Sequence, residues 1–274
     1  MPSGSRSRIP SRTSKCSGNR RCRPISPRSW RRCVRPDFIV PDWPAPANVH
    51  ALVTTRGGGV SVGPYASLNL ADHVGDDPAA VAENRRRLRA LLPAEPVWLD
   101  QVHGTRCVNA AGVAPGSKAD ASFTRTPGVV CAVLTADCLP VLLCDEAGTV
   151  VAAAHAGWRG LAAGVLEATV AAMGVPGERL LAWLGPAIGP ASFEVGGEVR
   201  DAFVAHDPAA ETAFRARADG KWLCDLTRLA RLRLAALGVC RLTSAGFDTC
   251  RDAERFFSYR RDGATGRMAS LIWI

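Results

Sequence analysis

Three residues with metal-binding or nucleophilic side chains stand in unusual local sequences. His103 lies in Gln-Val-His-Gly, Cys138 in Thr-Ala-Asp-Cys-Leu-Pro, and His155 in Ala-His-Ala-Gly-Trp-Arg. Each residue alone is more often a buried structural residue than a ligand. As a set, however, they combine imidazole and thiolate donors, which suit zinc or copper. Three protein ligands leave a tetrahedral metal one open position, as in a catalytic site.

The same three residues also fit a reaction without a metal. They are separated by 35 and 17 positions, too far apart for a zinc finger, so a metal would be bound by an already folded domain. A thiol beside an imidazole can instead act as a nucleophile once the imidazole takes its proton. Both arrangements need the side chains within bonding distance, so the residues alone leave the two alternatives open.

Further candidate residues are suited to anions, flat bases and protons. Arg56 stands in a glycine-rich loop, residues 54–60, whose backbone can approach a ligand closely while the guanidinium binds phosphate. Tyr259 and Arg260 stand in residues 256–262, where aromatic rings and guanidinium groups suit a base and an anion. Two carboxylates are candidate acid–base groups or partners that orient a ligand: Asp120 and Asp137.

Short strands and helices alternate in the apolar pattern around these residues. Nearly continuous apolar runs predict buried strands over residues 129–134, 150–154, 181–184 and 268–274. Capping and breaking residues predict helices that start at Asp77-Pro78 and end at Pro93, that cover 160–173, and that run from Asp225 to Gly238. This alternation favours a single α/β or α+β domain with the polar residues at the strand ends.

The composition excludes several classes of protein. The 274 residues are 47% hydrophobic and 22% charged, which is typical of a globular chain and excludes collagen, coiled coil and disorder throughout. The longest apolar run, residues 129–144, is interrupted by Asp137 and Pro140, which argues against a membrane span. Several cysteines lie inside apolar runs and no secretory signal is evident. We therefore expect free thiols and a cytoplasmic protein.

The net charge of +9 comes from the N-terminal end of the chain. Residues 1–36 contain eleven Arg and Lys residues and no Asp or Glu, so the remainder is close to neutral. We predict a disordered basic extension over residues 1–36 and one catalytic domain over 37–274. Three interpretations of the extension stay open: an arm for nucleic acid or an anionic membrane, a transit peptide, or residues added by an upstream start codon.

The motifs, taken in order, resemble the YfiH family over about residues 38–274. They are Thr54-Thr-Arg-Gly-Gly-Gly-Val-Ser61, Ser67-Leu-Asn-Leu, His73-Val-Gly-Asp-Asp77, Gln101-Val-His103-Gly, Ala119-Asp120-Ala, Thr135-Ala-Asp-Cys138-Leu-Pro-Val, His155-Ala-Gly-Trp-Arg-Gly160, Gly185-Pro-Ala-Ile-Gly189, Phe257-Ser-Tyr-Arg-Arg-Asp262 and Thr265-Gly-Arg267. That family is described as purine nucleoside phosphorylases and was earlier labelled polyphenol oxidases or laccase-like proteins. The older label fits poorly, because one three-ligand site cannot supply the several coppers that four-electron oxygen reduction uses.

The resemblance implies a fold, a reaction and roles for particular residues. It implies mixed sheets layered between helices, in an α/β/β/α arrangement of the α+β class. It implies phosphorolysis of adenosine, inosine and S-methyl-5′-thioadenosine, with deamination of adenosine. His103, Cys138 and His155 would bind zinc, with copper as the second candidate metal. Beyond what the resemblance implies, a mechanistic hypothesis assigns Arg56 and Arg260 to phosphate and Asp137 and His73 to proton transfer. Asp120, Arg159 and Tyr259 complete the predicted set as substrate-binding residues.

The sequence leaves two alternative functions open. One is a Cys-His hydrolase that edits an amide or peptide bond in cell-wall precursors, an activity also associated with relatives. The other is a binding protein that uses the basic arm without catalysis. The sequence leaves open the physiological substrate, the native metal and the oligomeric state.

Overall fold

The computed structural model describes residues 38–274, so the extension predicted over residues 1–36 lies outside the described residues. In chain order the strands are β1 (His50–Val53), β2 (Pro96–Val97), β3 (Cys107–Asn109), β4 (Ala121–Thr124), β5 (Val130–Thr135), β6 (Leu139–Asp145), β7 (Val151–Ala156), β8 (Leu180–Leu184), β9 (Glu194–Val195), β10 (Phe214–Ala216), β11 (Trp222–Cys224), β12 (Arg241–Ser244) and β13 (Met268–Trp273). The α-helices are α1 (Pro78–Arg89), α2 (Trp158–Ala163), α3 (Val165–Met173), α4 (Gly197–Val204), α5 (Leu226–Ala236) and α6 (Tyr259–Asp262).

Two mixed sheets form the centre of the fold. The smaller has the strand order β1-β13-β5-β2, and only the β2–β5 pairing is parallel. The larger has the order β12-β8-β6-β7-β4-β3, with parallel pairs at its two edges. A third, short sheet contains β10, β11 and β9.

The sheets pack face to face and each is covered by helix on its outer side. Alternate residues of β6 face opposite ways, because successive side chains of a strand point to opposite faces. Leu142 and Cys144 join the core between the sheets, whereas Val141 and Leu143 pack against the helical side. Helix α1 covers the smaller sheet through Leu88. The layers are therefore helix, sheet, sheet, helix, and the predicted α+β fold is confirmed.

The predicted strands are confirmed as β5, β7, β8 and β13, with boundaries that shift by at most two residues. The helix predicted over 160–173 is two helices, α2 and α3, which meet at Gly164. Gly164 has φ +105, a conformation that ends a right-handed helix and that glycine adopts most readily. Helix α1 begins as predicted: the Asp77 carboxylate accepts a hydrogen bond from the Ala79 amide, and Pro78 is the first helical residue.

None of the helices in the described part of the chain has the length and apolar character needed to cross a bilayer.

Candidate metal centre and substrate cavity

The three predicted donors converge in the structure. One ligand atom each from His103, Cys138 and His155 lie within 4.8 Å of one another. Cys138 Sγ lies 3.8 Å from His103 Nε2, and the two imidazole rings meet edge to face with centroids 4.8 Å apart. His103 is exposed, Cys138 half-buried and His155 buried, so the cluster opens towards solvent on the His103 side.

Register and strand ends place these donors together. His155 is the last residue but one of β7 and pairs with Pro140, two residues after Cys138. It shares a face of β7 with Val151 and Ala153, which point into the space between the sheets. The cluster therefore lies at the open end of that space.

Unusual backbone conformations turn two of the site segments towards the cluster. Among the described residues other than glycine, His103 (φ +58) and Asp137 (φ +83) are the two with positive φ. Such conformations cost of order 1–3 kcal/mol and persist only where the surroundings determine them, often at functional sites. Here one belongs to a donor and the other directly precedes a donor.

The Asp120 carboxylate orients both histidines. This fully buried side chain accepts hydrogen bonds from His155 Nδ1 and the His103 amide, each 2.9 Å long, and from the Gly104 amide at 2.6 Å. Burial acts to raise the pKa of Asp120, but the hydrogen bonds from His155 and Gly104 outweigh it and hold that pKa below its usual value. With Nδ1 donating to Asp120, His155 Nε2 is left to bind an ion, an arrangement common behind metal-binding histidines.

The thiol of Cys138 is acidic in this setting. Burial acts to raise its pKa, but the charge of His155 and the hydrogen bond to His103 outweigh burial and lower the pKa to about 6. The same coupling raises the pKa of His155 to about 9, against the effect of burial. Without a metal, this coupling favours the thiolate form of Cys138 and the imidazolium form of His155. Metal binding to His155 would release its proton.

A glycine keeps the space beside the donors open. A Cβ atom at Gly157 would lie 2.8 Å from His103 Cδ2 and 2.9 Å from Cys138 Sγ. Gly157 has φ −62 and ψ 154, which any residue can adopt, so its backbone does not require glycine. The absence of a side chain here and the two-nitrogen, one-sulfur donor set both fit a metal ion such as zinc.

A cavity of about 380 Å³ adjoins the cluster and is within the size range of small-molecule sites. Its wall includes most of the predicted residues: His73, His103, Cys138, His155, Arg159 and Tyr259. Six further lining residues were not predicted as site residues, and three of them have long polar or aromatic side chains: Gln101, Trp158 and Arg267. Gln101 and Arg267 stand in motifs that were noticed in the sequence, but only the fold shows that they face this cavity.

Two guanidinium groups line the cavity without a carboxylate partner among the ion pairs of residues 38–274. The Arg159 guanidinium lies 4.6 Å from the centre of the Trp158 ring. Arg267 Nη1 donates to the carbonyls of Thr265 and Gly266, at 2.9 and 3.0 Å. Burial lowers the pKa of Arg267, and the nearby charges of Cys138 and Asp137 act in the opposite direction. The cavity is therefore suited to an anion.

Arg56 and Arg260, predicted to bind phosphate, are not among the residues that line this cavity. Arg56 donates through Nε to the Ala66 carbonyl and through Nη1 to the Ala253 carbonyl, each at 3.0 Å. Arg260 Nη1 donates to the Glu194 carbonyl at 2.8 Å. Both guanidinium groups hold distant backbone segments together, so the structure gives no support to their predicted role.

The two predicted carboxylates also lie behind the cavity wall. Asp120 holds the histidines from behind, as described above. Asp137 accepts hydrogen bonds from Thr249, Ser258 and the Arg260 amide, and it does not line the cavity. Neither carboxylate is placed to contact a molecule in the cavity directly.

Comparison with known proteins identifies the family. Residues 50–274 match the model of a family described as multicopper polyphenol oxidoreductase laccase. The YfiH protein of Escherichia coli is 59% identical over 240 residues, which are 86% of this chain and 98% of that protein. The chain belongs to the YfiH family. A Pseudomonas aeruginosa relative is 60% identical over 238 residues, with 86% and 98% coverage, and both relatives are named purine nucleoside phosphorylase.

Solved structures of the YfiH family have the same fold. A Neisseria meningitidis protein, 56% identical, superimposes with a TM-score of 0.84 over 87% of this chain and 99% of its own. YlmD from Geobacillus stearothermophilus, 35% identical, superimposes with a TM-score of 0.77 over 83% and 92%. The resemblance inferred from the motifs is thus confirmed.

Proposed function

We propose that this protein is a purine nucleoside phosphorylase with adenosine deaminase activity, and that it works at a three-ligand zinc site. Its substrates are adenosine, inosine and S-methyl-5′-thioadenosine, with phosphate as the second substrate. One observation carries the proposal: His103, Cys138 and His155 lie close together on the wall of a cavity. Two guanidinium groups and an exposed tyrosine line the same cavity. The names of the relatives support the same reaction class.

Zinc bound by His103, Cys138 and His155 would supply Lewis-acid polarisation of an oxygen at one end of the cavity. The chain's own residues bind the rest of the reactants. Phosphate binding is assigned to Arg159 and Arg267, because both line the cavity and the donors of a guanidinium group match phosphate oxygens. The Tyr259 ring is 63% exposed on the same wall and suits stacking on the purine.

Phosphorolysis forms a bond between a phosphate oxygen and the anomeric carbon while the bond to the purine nitrogen breaks. The departing purine needs a proton. His73 lines the cavity, and its Nδ1 lies 3.5 Å from Asp72 Oδ1, which leaves Nε2 to carry that proton. This role falls to His73 because Asp137, the other predicted candidate, lies outside the cavity wall.

The phosphorolysis test uses purified protein, inosine and phosphate, with hypoxanthine and ribose 1-phosphate as products. Cys138→Ala and His155→Ala are expected to lower kcat/KM by at least about 100-fold, since each removes a zinc ligand. Cys240→Ala, which changes an exposed thiol, is the matched control. Elemental analysis should find about one zinc per chain in the native protein. Full activity in a folded Cys138→Ala or His155→Ala variant would refute the proposal.

The deaminase activity is tested separately with adenosine. Without phosphate, we expect inosine and ammonia as products. With phosphate, free base and ribose 1-phosphate should also form. Phosphate-dependent products alone would remove the deaminase from the proposal and leave the phosphorylase.

One observation favours a second candidate function, a Cys-His hydrolase. The acidic thiol of Cys138 is coupled to His155, whose Nδ1 lies 2.9 Å from Asp120, in the order nucleophile, base and orienting carboxylate. Its substrate would be an amide or peptide bond of a cell-wall precursor. Metal content separates the two functions: hydrolysis by metal-free protein, blocked when Cys138 is alkylated, would support the hydrolase.

A further inference from the structure

We propose that Asp137 is a positioning residue that links the Cys138 wall of the cavity to the Tyr259 wall, and that it does not transfer protons. The inference deepens the proposed function and rests on it for its kinetic readout. Its metal-binding readout is independent of any nucleoside reaction.

The Asp137 carboxylate is bonded to two other segments of the chain. Oδ1 accepts the Thr249 hydroxyl at 2.6 Å, while Oδ2 accepts the Ser258 hydroxyl at 3.0 Å and the Arg260 amide at 2.7 Å. The Asp137 carbonyl accepts the amide of Ile188 at 2.9 Å. These contacts fix the residue in the left-handed conformation that an aspartate otherwise adopts at a cost.

The surroundings of the Asp137 carboxylate separate it from the surface of the cavity. Asp137 is only 8% exposed, and it does not line the cavity. Each carboxylate oxygen already accepts at least one hydrogen bond from a neighbouring residue. A general acid or base must lie within hydrogen-bond reach of the atom it protonates, directly or through one water. A carboxylate that lies outside the cavity wall and whose two oxygens already accept hydrogen bonds is better suited to positioning than to that role.

The same carboxylate joins two parts of the proposed active site. On one side, the turn at Asp137 leads directly into Cys138, whose Sγ belongs to the donor cluster. On the other side, Ser258 and Arg260 flank Tyr259, whose exposed side chain lines the cavity. Helix α6 is only four residues long, so its place depends on such contacts more than on its own hydrogen bonds.

Asp137→Asn distinguishes positioning from proton transfer. The Asn oxygen can accept from Ser258 and Arg260, and its NH2 group can donate to the Thr249 hydroxyl oxygen, so most of the network remains. The side-chain amide of Asn cannot act as a general acid or base at neutral pH. Asp137→Ala removes all three side-chain bonds, and Thr249→Val removes one of them without altering Asp137.

The first measurement is zinc affinity, obtained by titrating zinc into metal-free protein without nucleoside. We expect Asp137→Ala to weaken zinc binding by about 10–100-fold, as is usual for residues that orient a metal ligand. Asp137→Asn should stay within about threefold of the wild type, which is below that range. Wild-type zinc affinity in a folded Asp137→Ala variant would overturn the link to Cys138.

The second measurement separates KM from kcat for inosine. Asp137→Asn should keep kcat within about tenfold, whereas a proton-transferring residue would lose about 100-fold or more. Asp137→Ala should raise KM for inosine, and this rise should vanish in a Tyr259→Ala background, because Asp137 acts on the base through Tyr259. A loss of kcat in Asp137→Asn of 100-fold or more, or additive effects on KM, would overturn the proposal.

Two milder variants keep the test decisive if Asp137→Ala fails to fold. Thr249→Val removes only the bond to Asp137, whereas Ser258→Ala also removes the bond that Ser258 Oγ accepts from the Arg261 amide. Both should weaken zinc binding measurably, and wild-type zinc affinity in folded Thr249→Val would overturn the proposal. If the wild type binds zinc but does not react with inosine, the phosphorylase proposal fails. The zinc affinities of the Asp137, Ser258 and Thr249 variants still decide whether Asp137 positions Cys138.

Discussion

At the scale of single residues, one buried carboxylate supports two of the three donors. Asp120 binds the ring of His155 and the backbone amides of His103 and Gly104, so it fixes the His155 ring and the backbone at His103. Cys138 contributes the remaining donor as a thiolate, because His155 is held protonated beside it in the absence of metal. The three donors are therefore held close together before a cation binds, and His155 must lose its proton when one does.

Gly157→Ala tests whether the space beside the donors is needed. The new methyl group would press on His103 and Cys138 while the backbone stays unstrained, so zinc affinity and activity should fall by about 10-fold or more with the fold retained. Zinc titration and circular dichroism provide the measurement. Gly197→Ala is the matched control, because it also lies at a helix start and its Cβ would meet nothing within 4 Å. Equal zinc affinity in the two variants would contradict the prediction.

Alkylation tests the acidity of Cys138 in metal-free protein. Its rate of reaction with iodoacetamide should be half-maximal near pH 6 and constant above about pH 7. The thiolate is the reactive form, and it predominates at every pH above the lowered pKa. Burial raises the pKa of Cys131, Cys144 and Cys224 to about 12, so these thiols should react slowly. Peptide mapping identifies the modified residue, and zinc should protect it. A midpoint near pH 8.5 would show an ordinary thiol.

At the scale of elements, the site is built where strands end. Asp120 immediately precedes β4, Cys138 immediately precedes β6, and His155 is near the end of β7, and these strands are neighbours in the larger sheet. The chain then turns at Gly157 and begins α2 at Trp158, so two cavity residues follow His155 within four positions. The connections at one end of these neighbouring strands therefore bring the donor and cavity side chains together.

Gly164→Ala tests the break between α2 and α3. Alanine is strained at φ +105, so we expect the free energy of unfolding to fall by about 1–2 kcal/mol, measured by urea denaturation. Gly112→Ala is the control, since a Cβ there would meet nothing within 4 Å. An unchanged stability in Gly164→Ala would show that the two segments can merge into the single helix that the sequence pattern favours.

At the scale of the whole molecule, the candidate metal centre lies outside the main apolar clusters. The three largest apolar clusters lie between the sheets and on their two outer sides, and none contains His103, Cys138 or His155. Packing of this extent supplies the main stabilising free energy of a domain. The cation is therefore expected to act on the site more than on the fold.

Removal of the metal with a chelator should leave a folded protein that unfolds cooperatively and has lost activity. Returning zinc at about 100 times its dissociation constant should restore activity and stabilise the protein by about 2.7 kcal/mol, through binding to the native state alone. Calorimetry and far-UV circular dichroism measure both effects. Loss of the cooperative transition in metal-free protein would instead show a domain that folds around its metal.

Deletion of residues 1–36 tests the basic extension, which stays a prediction. Every residue of the proposed site lies within residues 38–274, so kcat/KM for inosine should not change. A retained activity together with lost binding to an anionic polymer would assign the arm a binding role. Loss of activity in the folded, shortened chain would contradict the placement of the site.

Much of the fold follows from local sequence. Apolar runs indicate β5, β7, β8 and β13, and Asp77-Pro78 marks the start of α1, because strand burial and helix capping depend on neighbouring residues. The metal donors could also be selected, because few residue types offer imidazole or thiolate groups. The break at Gly164 was missed, since glycine is tolerated inside helices and its positive φ arises from how α2 and α3 pack.

The sequence by itself identified the three candidate donors and, through the resemblance of its motifs, the family and its layered fold. Only the tertiary structure decided which side chains share the cavity. Arg56 donates to the Ala253 carbonyl, 197 positions away, and Asp137 accepts from the Arg260 amide, 123 positions away. Arg267, by contrast, lines the same cavity as the donors. The physical reason is that charged and hydrogen-bonding groups have no periodic signature along the chain, so their partners are known only when distant segments have packed.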